Sequence, residues 1–522
     1  MAAHEENKAD DGVITLDRVE DVAAVPEKAA ALIHNIRQPH SEVYAEALAR
    51  YPNDEAIDRE DERRLRRKLD LRILPLLGIC YFFYYVDKTT LSYAAIFGIR
   101  DDLHLSSGAY SWLSSVFYFG WLVWAIPSNL LMQRSPPGWY LGFNILLWGV
   151  LLMCQAAARD FASLAALRIL SGAFEAIADP AFMLITSMWY TRREQPWKIG
   201  LWYTAVGLGN SFGGVLGYGI GNIRGALWSW KYEFLIIGAV CAAWGLVILV
   251  FLPDSPVTCR YLTDREKRIV VERLRENQTG VENKTLKPYQ ILEALTDYKS
   301  YLLFMCSLLQ AIVNGGTSNF GTLIVKGFHF STLNTTLLQI PYGALIAVLI
   351  LLCVYLNDRL PGNNRCWLMV CFLLPNVAGS FGLHYVPDSH RVGRLICYYL
   401  TGSINAVFVL LLSLQTGNTA GHTKKVTVSA ILFLGYCVGN IAGPFFYKTD
   451  QAPTYTLGIW SMITSHLIEI ATIVVMRFAL QWENRRRDRL YGPVEDMDQR
   501  EVMATAFGDL TDKENQNFRY VY

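Results

Sequence analysis

Three charged residues and a glycine share one apolar segment of the chain at helical spacing. Arg168, Gly172, Glu175 and Asp179 lie in RILSGAFEAIADPAF at intervals of four, three and four residues, which puts them on one stripe of an α-helix. The surrounding residues, about 162–190, are apolar enough to span a membrane. A charged side chain at mid-membrane costs about 3 kcal/mol on insertion scales, so such residues face the interior of a helix bundle. A cation beside two acids predicts an anion site next to a group that can carry a proton.

A second charged pair, Asp87 and Lys88, lies within YFFYYVDKTTLSYA. One interpretation is an ion pair at the end of a helix, with the long lysine side chain reaching the membrane surface. A site is favoured because Asp87 lies deep in the apolar stretch. Lys88 and Arg168 are then predicted to face one anionic substrate, and Arg168 can offer two parallel N–H donors to a carboxylate.

Asp87 and Glu175 are the predicted proton carriers. Burial away from water favours the neutral form of a carboxyl group, whereas neighbouring cations favour the ionised form. An anion bound to the two cations would therefore make protonation of the acids easier, so that proton and substrate favour each other's binding. Asp179 is a weaker candidate because Pro180 follows it and distorts a helix at this point.

The composition is that of a membrane protein. Of the 522 residues, 52% are hydrophobic and 18% charged, against about 25% charged in soluble proteins. The formal net charge of +1 gives no sign of nucleic-acid binding. The ten cysteines are scattered, most of them inside apolar runs and without a CxxC pair, so neither a metal site nor a disulfide framework is expected. No nucleophile–base pattern or cofactor motif predicts an enzyme, and a proton gradient would be the energy source.

The apolar runs predict an all-α membrane protein with twelve transmembrane helices in two halves of six. Each run has about 20 predominantly apolar residues, the length that crosses a bilayer. The N-terminal half, residues 71–252, has predicted spans at 71–95, 108–132, 139–158, 162–190, 198–221 and 232–252. The C-terminal half, residues 300–480, has them at 300–325, 332–356, 365–386, 393–415, 425–446 and 456–480. A polar tail at 1–70, a central loop at 253–299 and a second tail at 481–522 complete the chain.

Positive charge is concentrated in the two tails, the central loop and the connections on the same side. Examples are residues 63–68 and the pair Arg192 and Arg193, whereas the opposite connections hold only scattered cations. Because cytoplasmic segments carry the excess of Lys and Arg, both termini and the central loop are expected in the cytoplasm. Within the loop, Thr263 and Glu266 predict a capping box that begins a solvated surface helix bridging the two halves.

Glycines support an internal repeat. The fifth predicted span has a glycine at every fourth residue from Gly209 to Gly221, and the eleventh has Gly435, Gly439 and Gly443. Such stripes let helix backbones pack closely. They occupy corresponding places in the two halves, as two repeats of six helices require.

Several longer stretches of sequence carry a family resemblance. They include YYVDKTTLSYA, RILSGAFEA, MWYTRREQPWKIGLW, YLTDREKRIVVERL, NGGTSNFGTLIVKGFHFST and GNTAGHTKKVTVSAILFLGYCVGNIAGP. Together, from about residue 70 to 480, they resemble the anion:cation symporter family of the major facilitator superfamily, particularly its fungal allantoate permease branch. The resemblance implies the major facilitator fold, whose halves rock about a central site. It also implies proton-coupled uptake of a small organic anion, a carboxylate nutrient such as allantoate, nicotinate, pantothenate or a related vitamin.

The resemblance also implies roles for individual residues. Asp87 and Glu175 match the acids that the family associates with proton coupling, and Lys88 and Arg168 match the cations that it associates with anion binding. The family more often has Arg at the position of Lys88. Loss of the planar guanidinium is expected to change how the substrate is held.

Neutral polar residues complete the predicted substrate site. Asn314 lies beside Gly315 and Gly316, where a helix could open, and Asn440 lies in the glycine-striped eleventh span. With Tyr85, these two asparagines are the expected hydrogen-bond partners of the substrate. The asparagines also have the simpler interpretation of interhelical hydrogen bonds.

Two other functions fit parts of the sequence. One is an exporter of a secondary metabolite or drug by proton antiport on the same fold. Such antiporters tend to have a Gly-Pro pair in the fifth span, whereas here the pair is Gly443 and Pro444 in the eleventh. The other is a receptor that has lost transport, which the retained charges argue against. We therefore expect a multi-pass protein of the plasma membrane lipid bilayer that acts as a monomer on protons and a small organic anion.

Overall fold

The structure, a computed structural model, describes residues 59–191, 194–256, 259–278, 287–360, 362–492 and 510–522. Several sequence predictions fall outside these residues. They concern residues 1–58 of the first predicted tail, 257–258 and 279–286 of the central loop, 493–509 of the second tail, and Arg192 and Arg193.

The described residues form twelve helical spans. Spans 1 to 6 are Arg59–Ile96, Ser107–Arg134, Pro137–Gln155, the pair Phe161–Glu175 and Ala178–Trp189, the pair Gln195–Tyr203 and Ala205–Gly221, and Ser229–Phe251. Spans 7 to 12 are Tyr298–Lys326, the pair Thr332–Leu337 and Gln339–Arg359, Arg365–Tyr385, the pair Arg391–Leu400 and Ile404–Gly417, His422–Ala442, and Thr456–Tyr491. Shorter helices are Ile99–Asp102, Asp264–Gln278 and Pro288–Thr296, with 3-10 turns at Thr401–Ser403, Gly443–Phe446 and Thr449–Gln451.

Ten of the spans are long and apolar enough to cross a membrane by length and composition. The two others, spans 5 and 7, are rich in glycine and in polar residues such as asparagine, and they pack against several neighbours inside the bundle. Because these two spans face other helices more than lipid, polar residues can be accommodated in them.

Charged turns lengthen the first and last spans beyond the predicted bounds. Span 1 begins at Arg59 rather than at residue 71, and span 12 ends at Tyr491 rather than at 480. The added turns of span 1 are stabilised by ion pairs, such as Lys68 with Glu266 at 2.7 Å. The helices therefore continue past the apolar segment as polar stems.

The packing of the spans has an internal twofold pattern. Span 3 packs on span 6, as span 9 does on span 12, and span 1 packs on span 5, as span 7 does on span 11. Between the halves, span 2 contacts span 11 and span 5 contacts span 8, while spans 1 and 7 contact each other. Each of these contacts becomes its counterpart when spans 1 to 6 are exchanged with spans 7 to 12 in order. The predicted arrangement of two repeated halves is therefore confirmed.

The glycine stripes make these close contacts. A Cβ atom at Gly209 would lie 2.8 Å from the Phe82 carbonyl oxygen of span 1, and one at Gly435 would lie 2.6 Å from the Phe304 carbonyl oxygen of span 7. Both distances are too short for a real side chain, so only glycine allows these helix backbones to approach so closely.

The central loop contributes two helices that dock on different halves. The predicted capping box of Asp264–Gln278 is present, because Thr263 N donates to Glu266 Oε2 at 2.8 Å and Glu266 N donates to Thr263 Oγ1 at 3.3 Å. This helix packs on the N-terminal half through ion pairs such as Arg273 with Glu194 at 2.7 Å. Pro288–Thr296 packs instead on span 11. The helix predicted to bridge the two halves is therefore docked on the N-terminal half, and the C-terminal half has a helix of its own. We call the end of the bundle where these two helices lie the loop side.

Candidate functional site

A cavity lies between the two halves, near the middle of the bundle. Residues from spans 1, 5, 7, 8 and 10 line it, including the predicted Tyr85, Lys88 and Asn314. Most of the other lining groups are neutral and polar, among them the side chains of Asn210, Gln339 and Asn405. The cavity thus presents one cationic side chain, Lys88, within a set of hydrogen-bonding groups.

Lys88 is surrounded by aromatic rings. Its Nζ atom lies 4.2 Å from the ring centroid of Tyr84, 5.1 Å from that of Tyr85 and 5.8 Å from that of Tyr436. Nζ also donates to the Tyr436 hydroxyl at 3.4 Å. Within the described part of the chain, no carboxylate oxygen lies within 4.0 Å of Nζ. The charge of Lys88 is therefore stabilised by ring faces and makes no direct ion pair with an acid of the described residues.

A chain of hydrogen bonds leads from Lys88 into the C-terminal half. Tyr436, which contacts Lys88, is on span 11, and its backbone carbonyl accepts from Asn440 Nδ2 at 2.8 Å. Asn440 Oδ1 accepts in turn from Asn314 Nδ2 of span 7 at 3.0 Å. Asn314 lines the cavity, whereas Asn440 lies behind it. The structure thus links Lys88, Asn440 and Asn314 through Tyr436, and Tyr85 joins this group through the contact of its ring with Lys88.

Asp87 faces away from the cavity, into the N-terminal half. Consecutive residues of a helix point about 100° apart, so Asp87 turns toward span 3 when Lys88 turns toward the cavity. Its Oδ2 atom accepts from the indole N–H of Trp148 at 3.0 Å, and the side chain is buried. The charges of Arg168 and Lys88 both act on this carboxyl group.

Glu175 lies at a break in span 4. The helix predicted over residues 162–190 is interrupted between Glu175 and Ala178, because Pro180 has no N–H to donate to Ala176 and its ring disfavours a regular helix there. Glu175 is buried, and neither carboxyl oxygen has a hydrogen-bond partner among the described residues. Asp179 lies in the first turn after this break, where the charge of Lys88 acts on it as well.

Arg168 is buried in the N-terminal half and is not among the residues that line the cavity. Its Nε atom donates to the Leu113 carbonyl oxygen of span 2 at 2.9 Å, and its guanidinium lies 5.4 Å from the ring centroid of Phe117. The structure therefore does not bring Arg168 and Lys88 to one surface of the cavity. Gly172 has a packing role, since a Cβ atom there would overlap the Phe117 carbonyl oxygen.

Hydrogen bonds close the cavity on the side opposite the loop. Ser92 of span 1 bonds Thr322 of span 7 at 2.7 Å, and Tyr110 of span 2 donates to the Asn319 carbonyl oxygen at 2.8 Å. Ser115 donates to the Ile441 carbonyl oxygen at 2.7 Å. All three contacts join the two halves, so they hold this side of the molecule shut.

Two candidate residues could not be found from the sequence. Trp148 donates a hydrogen bond to Asp87, and the Tyr436 hydroxyl accepts one from Lys88. In the sequence, each is one aromatic residue among many in an apolar span. Only a weak signal was available for Tyr436, its position four residues before Asn440 on the same helix face. The described residues contain no cluster of three or more His, Cys, Asp or Glu side chains that could hold a metal ion.

Comparison with known proteins agrees with this architecture. The sequence profile of the Major Facilitator Superfamily matches residues 77–444. An uncharacterized transporter of Schizosaccharomyces pombe is 38% identical over 93% of this chain and 92% of its own length. The allantoate permease of Saccharomyces cerevisiae is 33% identical over 96% of this chain and 94% of its own length.

A solved structure supports the fold alone. A bacterial homolog of the human lysosomal transporter Spinster, in an inward-facing and occupied conformation, matches 77% of this chain and 94% of its own with a TM-score of 0.57 at 15% identity. Both the resemblance found in the sequence and the predicted absence of enzyme chemistry agree with these relatives, which are transporters. The chain is a multi-pass membrane transporter that belongs to the major facilitator superfamily and, within it, to the fungal transporters that include allantoate permease.

Proposed function

We propose that this transporter takes up a small organic anion, a carboxylate nutrient, together with protons. Uptake would proceed by alternating access at the plasma membrane, with both termini in the cytoplasm. The 33% identity to allantoate permease supports an anionic nutrient of this kind, and allantoate, nicotinate and pantothenate are the first compounds to test.

The observation that carries the proposal is the environment of Lys88. Its ammonium group lies at the cavity with ring faces around it and with no carboxylate within 4.0 Å among the described residues. An entering carboxylate can neutralise this charge through a charge-assisted hydrogen bond. A neutral substrate would gain less from the lysine, and a cation would be repelled.

The buried acids supply a route for coupling. Ionised Asp87 and Glu175 are costly in apolar surroundings, and the charge of Lys88 acts on both of them. When a substrate anion neutralises Lys88, this support for the ionised acids weakens and a proton binds more readily. Proton and substrate then favour each other's binding, which is the thermodynamic requirement for symport.

The neutral groups of the cavity would hold the rest of the substrate. Asn314 and the hydroxyl-bearing residues of span 7 belong to the C-terminal half, while Lys88 and Tyr85 belong to the N-terminal half. A substrate that contacts both sets would draw the halves together around itself. Release to the other side then requires the halves to part, as rocking of two rigid halves predicts.

The proposal is tested by measuring uptake of radiolabelled carboxylates into cells that express the protein. The panel is assayed at acidic and neutral external pH, with and without a protonophore. Accumulation of one compound that is greater at acidic pH and collapses with protonophore is the expected result. Faster loss of a preloaded compound than in control cells, with no accumulation of any carboxylate, would favour the proton-antiport exporter instead.

A further inference from the structure

Residues 510–522 lie against the loop side of the C-terminal half, where buried side chains and hydrogen bonds hold them in place. Thr511 and Asp512 are fully buried, and Tyr520 is 3% exposed. The rings of Phe518, Tyr520 and Tyr522 pack on the apolar core formed by the spans of this half. This segment, which we call the strap, is therefore a bound element of the structure.

Asp512, one of the two acidic residues of the strap, lies against two lysines that also pair with acids of the C-terminal half, such as Lys424 with Asp297 at 2.9 Å. The Asp512 carboxylate pairs with Lys299 of span 7 and, at 2.7 Å, with Lys424 of span 11. The Tyr520 hydroxyl donates to Asp512 Oδ2 at 2.8 Å, and Arg487 Nη2 of span 12 donates to the Asp512 carbonyl oxygen at 2.9 Å. Three helices thus converge on one residue of the strap, and a buried carboxylate is satisfied only by partners of this kind.

Three asparagines hold the strap by its backbone. Asn484 of span 12 forms two hydrogen bonds of 2.8 Å with the N–H and carbonyl groups of Tyr520. Asn418, which follows span 10, forms two of 2.7 Å with the same groups of Val521. Asn363, before span 9, accepts from Tyr522 N at 2.6 Å and donates to the Tyr520 carbonyl oxygen at 3.1 Å. Paired amide contacts bind a peptide backbone whatever its side chains are. Lys299 and Lys424, by contrast, select an acid at the position of Asp512.

From these contacts we infer that the loop side of the C-terminal half is a peptide-binding groove whose occupant is residues 510–522 of the same chain, anchored by Asp512. The strap joins five of the six spans of this half, namely 7, 9, 10, 11 and 12, at their loop-side ends. It therefore makes that end of the C-terminal half one rigid unit. The inference does not depend on the substrate or on proton coupling, because none of the groove residues lines the central cavity.

Trypsin cleavage of the purified full-length protein tests the inference directly. Lys513 and Arg519 lie within the strap, so a docked strap resists cleavage after these residues until it detaches. In Asp512→Asn, which removes the anchoring charge, we expect cleavage at both positions to accelerate at least about tenfold, because detachment becomes easier. The matched control is Asp450→Asn, which changes an exposed aspartate on the opposite side of the molecule and should cleave like the unchanged protein.

A second variant covers the case in which Asp512→Asn does not fold. Asn484→Ala keeps every charge and removes only the paired bonds to Tyr520, so it should accelerate cleavage after Arg519. Mass spectrometry of the released fragments gives the rate at each position. Equal rates in the unchanged protein and in whichever variants fold would overturn the inference, and so would rapid cleavage within the strap of the unchanged protein.

Discussion

Asp87 and Lys88 are adjacent in the sequence but serve different parts of the molecule. Lys88 reaches the cavity between the halves, and Asp87 is held by Trp148 inside the N-terminal half. One turn of helix therefore carries the cation that a substrate anion can contact and an acid on which the charge of this cation acts. The charge of Lys88 also acts on Glu175, which lies at the break in span 4.

Replacement of Lys88 by Gln should weaken binding of the carboxylate substrate. The variant removes the charge and keeps a side chain of similar length, and one charge-assisted hydrogen bond contributes about 1.5–3 kcal/mol, or roughly 10- to 100-fold in Kd. Binding is measured with the purified protein by calorimetry. Lys326→Gln, on an exposed lysine at the end of span 7, is the matched control, and equal affinity in both variants would remove Lys88 from the site.

Replacement of Glu175 by Gln should separate transport from the proton gradient. A glutamine resembles the protonated acid in shape but can neither release nor bind the proton, so the carrier would still exchange substrate across the membrane. Exchange is measured as counterflow in proteoliposomes, and net uptake is measured against external pH. If net uptake in this variant keeps its full dependence on external pH, Glu175 is not a coupling residue.

Glycines allow several pairs of helices to cross at close distance. Spans 5 and 8 cross where Gly207 and Gly343 face each other, and a Cβ atom on either would overlap the backbone of the other helix. Spans 2 and 4 cross in the same manner at Gly120 and Gly172. Close approach of this kind is how helices associate where lipid gives no hydrophobic drive.

Two glycines of span 5 form a matched pair for testing this packing. A Cβ atom at Gly207 would overlap span 8, whereas one at Gly219 would have no atom within 4 Å. Gly207→Ala should lower the free energy of unfolding by about 1–3 kcal/mol, the typical cost of overpacking. Gly219→Ala should leave it unchanged or raise it by about 0.5–1 kcal/mol, because alanine favours the helix over glycine. Thermal unfolding of the two purified variants provides the comparison, and equal midpoints would contradict the assigned crossing.

The strap should not respond to pH in the physiological range. Burial opposes ionisation of Asp512, but Lys299 and Lys424 outweigh it and hold the pKa of this carboxyl group below its ordinary value. A lowered pKa in the folded state stabilises the protein above the ordinary pKa of aspartate, and this contribution is lost only as the pH falls through the lowered value.

The difference in thermal midpoint between the unchanged protein and Asp512→Asn should therefore stay constant from about pH 8 to pH 5. It is measured by differential scanning fluorimetry in buffers of equal ionic strength. A difference that has already disappeared at pH 6 would show that Asp512 is not held by the two lysines.

The sequence predicted the elements better than their orientation. Ten of the twelve spans follow from the length of their apolar runs, and the stripes from Gly209 and Gly435 locate corresponding helices of the two halves. The direction in which a side chain points within the bundle depends on how its helix is rotated about its own axis. The sequence periodicity of one helix does not determine this rotation. For this reason Arg168 was expected at the cavity but is held by the Leu113 carbonyl oxygen.

The strap lay beyond sequence-based prediction for a different reason. Residues 510–522 have no helical period and no apolar run, and their structure comes from partners more than twenty residues away in sequence, such as Arg487 and Lys299. The break in span 4 is different, because its cause is local: Pro180 already indicated a distorted helix at this point of the sequence.

The two halves of the molecule meet at a cavity and are hydrogen-bonded to each other on one side of it. Contacts such as Ser92 with Thr322 close the side opposite the loop. On the loop side, each half has its own cap, namely the helix Asp264–Gln278 on the N-terminal half and the strap on the C-terminal half. This arrangement suits two rigid bodies that rock about a central substrate site.

Proton movement in proteoliposomes shows whether the substrate anion and protons cross the membrane together, as proposed. The purified protein is reconstituted without a proton gradient, and the carboxylate found in the uptake panel is added outside while the external pH is recorded. Entry of the substrate should make the external medium more alkaline, and Glu175→Gln should abolish this change. Substrate entry with no change of pH, or with acidification outside, would contradict proton-coupled uptake.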